Sequence, residues 1–420
     1  MGRINIDDLK SGMELAADLV GPNGRFLLPK GVVLDEQHLR IIKIWGITEA
    51  DIRGLSAEEV EAVAAAEVDE EVLARAGAIA TWLFRLANAD HPAMAELRKL
   101  SVKRMRDRLS LGLPVPRPVA DGTSLAPLAT PAAPSSLTAL DLVRHEVRLA
   151  SFPDIYHRIV EVLNNPRSSV THMADVVSKD PSLTAKLLRL VNSPLYGFPS
   201  SIDSISRAIA LIGINELSML ALGVSVIERF KGIPAECVDM KRFWTHSIAC
   251  GVFAKILAGH KTGLNEERFF LAGLIHDIGR LVILKNAPDL ARHVFECLSG
   301  HGCLSAHAEQ ACLGFDHTDV ADLLLTAWEF PSSLESMIKR HHSPGSGPEA
   351  LEPAVIHVAD IMARALLPDP SPGACVPGLD PEAWNILGFP PSLLAPAASQ
   401  AEHQIRDIFQ TFFPDEIFHG

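Results

Sequence analysis

The sequence predicts a mainly α-helical protein with a small α+β unit at its N-terminus. Three observations carry that expectation. From about residue 137 onward, apolar residues recur at helical spacing and period-two alternation is nearly absent. Hydrophobic residues make up 48% of the 420-residue chain but aromatics only 6%, so the apolar content is Ala, Leu, Ile and Val, which favours helix packing over an aromatic-rich β-sandwich. Near the start, Asn23-Gly24 between Met13–Val20 and Arg25–Leu28 is a hairpin signal.

The N-terminal unit spans residues 1–53. After the hairpin, Asp35 can cap a short helix through Leu39, Ile42 and Trp45, which Gly46 can end, and Ile47–Ile52 reads as a strand. Residues 54–110 are a helical segment. Ser56 with Glu59 fits a capping box, and Leu73, Ile79, Trp82, Leu83 and Leu86 supply an apolar face. Residues 111–136 read as a Pro/Ala-rich linker. Prolines 114, 116, 118, 127, 131 and 134 lack amide donors and deny it a helix or a central strand, so it marks the expected main domain boundary. Residues 137–420 form the helical domain with a C-terminal helical extension. Its predicted helices include Leu183–Val191, which Asp180-Pro181 can start, Ile205–Ile212 and Leu217–Phe230 split at Gly213, Trp244–Ala258, a long Glu266–Leu284, Thr318–Trp328, Leu334–Arg340 and Ala354–Leu366.

Composition excludes several function classes. A net charge of −13 argues against nucleic-acid binding by the whole chain, although Arg85–Arg108 is locally basic. No apolar run approaches the roughly 18 residues of a membrane span, so no membrane partner is expected. The N-terminus lacks the apolar stretch of a signal peptide. The cysteines (237, 250, 297, 303, 312 and 375) form no CxxC pair, which suits a reduced, cytoplasmic protein.

His276-Asp277 lies inside the otherwise apolar Leu271-Ala-Gly-Leu-Ile-His-Asp-Ile-Gly-Arg-Leu-Val-Ile-Leu284. A buried ionised carboxylate is costly unless it is paired or coordinates a metal. The pair alone fits an imidazole–carboxylate contact in a core equally well. Further potential ligands recur in similar helical settings: His246, His317, the doublet His341-His342, and Asp360. These five His and two Asp can converge on one or two metal ions, and neutral His with ionised Asp suits Fe, Mn, Zn or Ni. Singly, each has an ordinary reading. His317 is a helix-start residue in water, His341-His342 complements a helix C-terminus, Asp360 lies on a solvated face, and Arg280 is a surface arginine. His357 either orients Asp360 or is exposed. Arg280 lies about one turn beyond His276 and can face the same cleft.

A family resemblance rests on a series of motifs. Lys179-Asp180-Pro181 precedes Leu183-Thr-Ala-Lys-Leu-Leu-Arg-Leu-Val-Asn-Ser-Pro-Leu-Tyr196. Ile202-Asp-Ser-Ile205, Gly273-Leu-Ile-His-Asp-Ile-Gly-Arg-Leu281, Gly314-Phe-Asp-His317, Trp328-Glu-Phe-Pro331 and His341-His342 follow. Over roughly residues 140–366 this resembles the HDOD domain, a helical relative of the HD metal-dependent phosphohydrolases. The resemblance implies an HD-like all-helical domain in a bacterial signal-transduction protein, acting as a regulatory or output module on signalling proteins. A homodimer is also open. The His/Asp series is similar to that of the HD-GYP phosphodiesterases, which implies the alternative of an active phosphohydrolase or cyclic-dinucleotide phosphodiesterase with a phosphorylated nucleotide ligand. The Gly-Tyr-Pro element of those enzymes is missing after His342, and Arg280 stands where they carry Lys. In this resemblance Asp277 bridges two divalent ions. His246, His276 and Asp360 complete one sphere, and His317, His341 and His342 serve the other. The implied chemistry is hydrolysis of a phosphate ester or diester, with Asp277 and Arg280 in catalytic roles and the guanidinium on phosphate oxygens. Asn192-Ser193-Pro194-Leu195-Tyr196 reads either as a binding turn or as a helix stop whose side chains satisfy backbone groups.

Overall fold

The computed structural model describes residues 2–5, 9, 11–20, 26–35, 38, 39, 42, 49–53, 70–116, 137–149, 154–165, 168–198, 200–230, 233, 238–292, 294, 305–368 and 374–414. The N-terminal unit has its own small core of Leu9, Leu15, Leu19, Leu28, Leu34, Ile42, Ala50 and Ile52. Strand β1 (Gly2–Asn5) pairs antiparallel with a strand at Glu49–Ile52, and β2 (Leu19–Val20) pairs antiparallel with β3 (Phe26–Leu28), so the strand at 49–52 is β4. The β2–β3 pairing is the predicted hairpin, and its Asn23-Gly24 turn lies outside the described residues. Asp35 Oδ1 accepts from the His38 amide at 2.7 Å, as a helix cap would. His38, Leu39 and Ile42 of that helix are described as helical, with Ile42 buried, while Trp45, Gly46 and the Ser56–Glu59 box lie outside the described residues.

The remainder is helical. α1 (Glu70–Leu83) and α2 (Pro92–Ser110) form a hairpin. After the Pro-rich segment come α3 (Ala139–Leu149), α4 (Asp154–Asn164), α5 (Val170–Ser178), α6 (Pro181–Val191), α7 (Ile205–Ile212), α8 (Ile214–Phe230) and α9 (Met240–Gly259). Then follow α10 (Glu266–Ile275), α11 (Ile278–Asn286), α12 (Ser305–Leu313), α13 (His317–Ala327), α14 (Ser332–Lys339), α15 (Leu351–Leu366), α16 (Pro381–Leu387) and α17 (Leu394–Phe412). Their starts are written in the sequence. Ser169, Asp180, Ser204, Asp239, Asn265, Asp316 and Asp380 each accept from a first-turn amide, satisfying donors that a helix leaves open.

Helix α9 is the axis of this domain. It is buried almost all round from Trp244 to Ala258 and packs against α10, α15 and α17. Where α9 crosses α10, a Cβ on Gly273 would meet the Cα of Gly251 at 2.7 Å, so only glycines allow this approach. The contact sets His246 on α9 beside His276 just past the end of α10. A buried carboxylate braces the other side: Glu146 accepts from Arg229 at 3.0 Å and from Lys285 at 2.8 Å, tying α3 to α8 and α11. The Asn-Ser-Pro-Leu-Tyr turn also has a structural task. The Asn192 amide donates to the carbonyls of Leu188 and Ile202 at 2.8 Å each and accepts from the Ile202 amide at 2.7 Å. Tyr196 donates to Glu267 at 2.7 Å, and Glu267 is paired with Lys255.

Three expectations need correction. The predicted helix Glu266–Leu284 is broken: α10 ends at Ile275, α11 begins at Ile278, and Asp277 between them has φ −96° and ψ 11°. Leu73 and Leu86 are exposed, so α1 buries a narrower stripe of Ala76, Ile79, Ala80 and Leu83. The Pro-rich segment does not divide two cores. Ile79, Leu83, Met94, Leu97 and Met105 of α1 and α2 join the same core as α9 and α15, because α1 packs on α2 and α2 packs onto α15 and α17. Among the described residues no single helix is long and apolar enough to cross a membrane. The pair α7 and α8 passes by length and composition, but it bends by 119°.

Candidate metal centre

The break between α10 and α11 builds the site. In a continuous helix, consecutive side chains point about 100° apart. The non-helical Asp277 lets His276 and Asp277 face the same interior space. Asp277 stands at the N-cap of α11, yet its side chain makes no capping bond. Its carboxylate points to the histidines instead. Gly279 permits this packing, since a Cβ there would lie 2.0 Å from the carbonyl of His317.

All seven predicted ligand positions come together. His276, Asp277, His317, His341 and Asp360 are buried, and His246 and His342 are partly so. His246 Nε2 lies 3.0 Å from Asp360 Oδ1 and 3.9 Å from Asp277 Oδ2. His276 Nε2 lies 3.5 Å from Asp277 Oδ2 and 3.6 Å from Asp360 Oδ1. On the other side, His317 Nε2 lies 3.2 Å from Asp277 Oδ1 and 3.0 Å from His342 Nε2. His341 lies between the two halves, its ring centroid 5.1 Å from that of His276, edge-on, and 3.9 Å from that of His342. Three overlapping sets have ligand atoms within 4.8 Å of one another: His317, His341 and His342; His246, His276 and Asp277; and His276, His341 and Asp360.

The tautomers follow from the outer hydrogen bonds. His276 Nδ1 faces the Gly273 carbonyl at 2.7 Å, and His341 Nδ1 faces the Ile338 carbonyl at 2.7 Å. A carbonyl only accepts, so each Nδ1 carries the proton and each Nε2 presents a lone pair inward. His317 Nδ1 faces the Glu309 carboxylate, which also accepts from the His317 amide at 2.9 Å. This is how metal-binding histidines are ordinarily held. The inward atoms His246 Nε2, His276 Nε2, His341 Nε2 and Asp277 Oδ1 are buried without an aligned hydrogen-bond partner. In their neutral form His276 and His341 thus turn Nε2 lone pairs toward the carboxylate of Asp360, an arrangement that a cation relieves. The 3.0 Å between His317 Nε2 and His342 Nε2 also suits two imidazoles sharing an ion at bond lengths of about 2.0–2.1 Å. The residues therefore fit a transition metal.

Charge in the site is mixed. Arg280 does reach the cluster: Nη1 donates to Asp277 Oδ2 at 2.8 Å, and Nε lies 3.3 Å from Glu309 Oε1. Arg364 donates from Nε to Asp360 Oδ1 at 2.9 Å and lies 3.6 Å from Asp277 Oδ2. Burial alone would raise the Asp277 carboxyl, but Arg280, His276, His317 and Arg364 outweigh it and hold it well below the usual range. Asp360 is likewise held down against burial by Arg364, His246 and His276. Glu309 falls to about 2, because His317 and Arg280 outweigh its burial. Burial, then neighbouring imidazoles, press His341 and His342 well below the ordinary histidine value. Counted with the imidazoles neutral, as metal ligation requires, three carboxylates against two guanidiniums leave a single net negative charge.

Sequence reasoning passed over Glu309 and Arg364. Arg364 had a readable signal, the i,i+4 spacing from Asp360 on one helix. Glu309 had none, because it reaches His317 across the turn between α12 and α13. His357 is buried, not exposed, and it does not touch Asp360. It bonds the His341 carbonyl and the Asp380 amide.

Residues 149–344 match the HDOD domain model, a segment that holds every ligand position except Asp360. A Treponema pallidum protein of unassigned function is 23% identical over 218 residues, which is 50% of this chain and 42% of that protein. This chain therefore spans about two-fifths of that relative's length. Two solved structures share the fold. One, from Shewanella amazonensis and assigned to the phosphohydrolases by name alone, has a TM-score of 0.53 at 22% identity over 64% of this chain and 98% of its own. The other, from Marinobacter aquaeolei and named for signal transduction, has a TM-score of 0.51 at 20% identity over 69% of this chain and 68% of its own. The helical architecture, the motif series and the model match agree: residues 149–344 of this chain are an HDOD domain.

Proposed function

We propose that this protein binds divalent transition metal, one or two ions of Fe, Mn, Ni or Zn, on His246, His276, Asp277, His317, His341, His342 and Asp360, and acts as a regulatory output module in bacterial signal transduction. The observation that carries the metal reading is the set of buried, inward-facing Nε2 and Oδ1 atoms without aligned partners. Removing a polar partner from a buried group costs roughly 1–3 kcal/mol, so several such atoms in one place call for a ligand. The signalling role is the one the Marinobacter relative is named for, and protein partners and a cytoplasmic setting are proposed with it.

A second reading, a phosphohydrolase, has its own observation. One dication on the site's single negative charge leaves one positive charge, and a second leaves three, beside the partly exposed Arg280 and Arg364. Such a site favours an anion, and a phosphate ester or phosphorylated nucleotide fits that chemistry. A bound divalent ion would supply Lewis acidity there. Arg280 would orient the phosphate, and Asp277 would hold the site together between its two halves.

Two measurements test the readings. Zn²⁺ titration of metal-free protein should show binding that His341→Ala weakens at least tenfold, and equal binding in both would overturn the metal reading. A nucleotide and phosphodiester panel on Mn-, Fe-, Ni- and Zn-loaded protein should give turnover that Asp277→Asn abolishes if the second reading holds. No turnover under any loading leaves the module reading alone.

A further inference from the structure

A line of hydrogen bonds leaves the ligand cluster through His357. His357, on α15 three residues before Asp360, is 5% exposed. Its Nδ1 faces the His341 carbonyl at 2.8 Å, and its Nε2 accepts from the Asp380 amide at 3.0 Å. One partner only accepts and the other only donates, so this tautomer is fixed and both ring nitrogens are used. Asp380 ends a strap, residues 374–380, and caps α16. The strap is fastened to the α1–α2 hairpin. The Val376 amide donates to the Leu83 carbonyl at 2.8 Å, and Arg85 donates to the Ala374 carbonyl at 2.9 Å. The Asn88 side chain both donates to the Leu379 carbonyl and accepts from its amide, each at 2.9 Å. Helices α1 and α2 lie before the Pro-rich segment, and none of the ligand positions belongs to them.

We propose that His357 is a positioning residue for the metal ligand His341, and that it couples the metal centre to the α1–α2 hairpin through the strap. The ring of His341 is aimed by the Ile338 carbonyl, and its backbone is held by His357. A shift of the strap moves Asp380, which moves His357 and then His341. Coupling between two sites is reciprocal, so metal loading must also tighten the hairpin. The hairpin is thereby the element that responds to occupancy of the centre. This rests on the metal reading above.

The test is hydrogen exchange of the full chain with and without Zn²⁺, with Zn²⁺ affinity measured in parallel. Zn²⁺ should slow exchange not only around the ligands but in residues 374–380 and 83–91. Asn88→Ala removes an exposed side chain and leaves the core intact, and His357→Asn keeps a donor toward His341 but drops the acceptor for Asp380. Both should bind Zn²⁺ within about threefold of the parent yet lose the slowing at 83–91. His357→Phe should weaken Zn²⁺ binding by about tenfold, in the range found for groups that orient metal ligands. Parent protein that binds Zn²⁺ with no change at 374–380 and 83–91, or a His357→Asn variant that keeps the change at 83–91, would overturn the coupling alone. Parent protein that binds no Zn²⁺ would overturn the metal reading and the coupling together.

Discussion

Glu309→Gln isolates one carboxylate that holds the centre without being one of the predicted ligands. Glu309 is 5% exposed, accepts from both the ring and the amide of His317, and faces Arg280. The amide keeps the shape but loses the charge, so His317 loses its strongest orienting partner and Arg280 one of its two carboxylates. Metal affinity should fall by about 10–100-fold. Stability should change with pH in a stated direction. The folded pKa of about 2 lies below the ordinary 4.5, so ionised Glu309 contributes stability that is fully present above about 4.5 and is lost as pH falls toward 2. That difference corresponds to roughly 3 kcal/mol at neutral pH. Urea unfolding of metal-free parent and variant from pH 7 down to pH 3 measures it, and taking the difference between the two proteins removes the other titrating groups. The stability gap should be widest at pH 7 and shrink steadily below 4.5. A gap independent of pH, or a variant with parental metal affinity, would refute the assigned role.

Other perturbations have equally direct outcomes. Gly273→Ala places a methyl 2.7 Å from the Gly251 Cα, so it should cost about 1–3 kcal/mol in thermal unfolding and weaken metal binding by displacing His276. Asn192→Ala leaves the amide and the carbonyl of Ile202 without their side-chain partner and should cost about 1–3 kcal/mol, with metal binding unchanged. Stripping metal with a chelator should lower the unfolding midpoint, by about 2.7 kcal/mol of stability when free metal had stood at a hundred times its Kd, and re-addition should restore it.

The helical domain was legible because its signals are local. Asp180-Pro181 announces a helix start, and the apolar spacing of α9 and α15 announces burial. The seven ligand positions were legible as polar residues placed where the helical pattern calls for apolar ones, and the structure gathers them. What the pattern could not show depends on tertiary contact. The break at Asp277 sits in a run that reads as one helix, since Ile275, Ile278 and Leu281 keep helical spacing through it. Backbone contact across Gly273 and Gly279 decides otherwise. The α1–α2 hairpin looked separate because proline composition marks a chain segment, not the partner against which a helix packs. Glu309 joins His317 through a turn between helices, and His357 joins Asp380 through a strap, so neither link has a fixed spacing to read.

The most direct measurement is the metal content of protein purified without air or chelator, by elemental mass spectrometry, beside His276→Ala and Asp277→Ala. The account predicts one to two equivalents of transition metal per chain in the parent and loss of that metal in both variants. A folded parent without transition metal, or variants that retain the parent's full content, would contradict it.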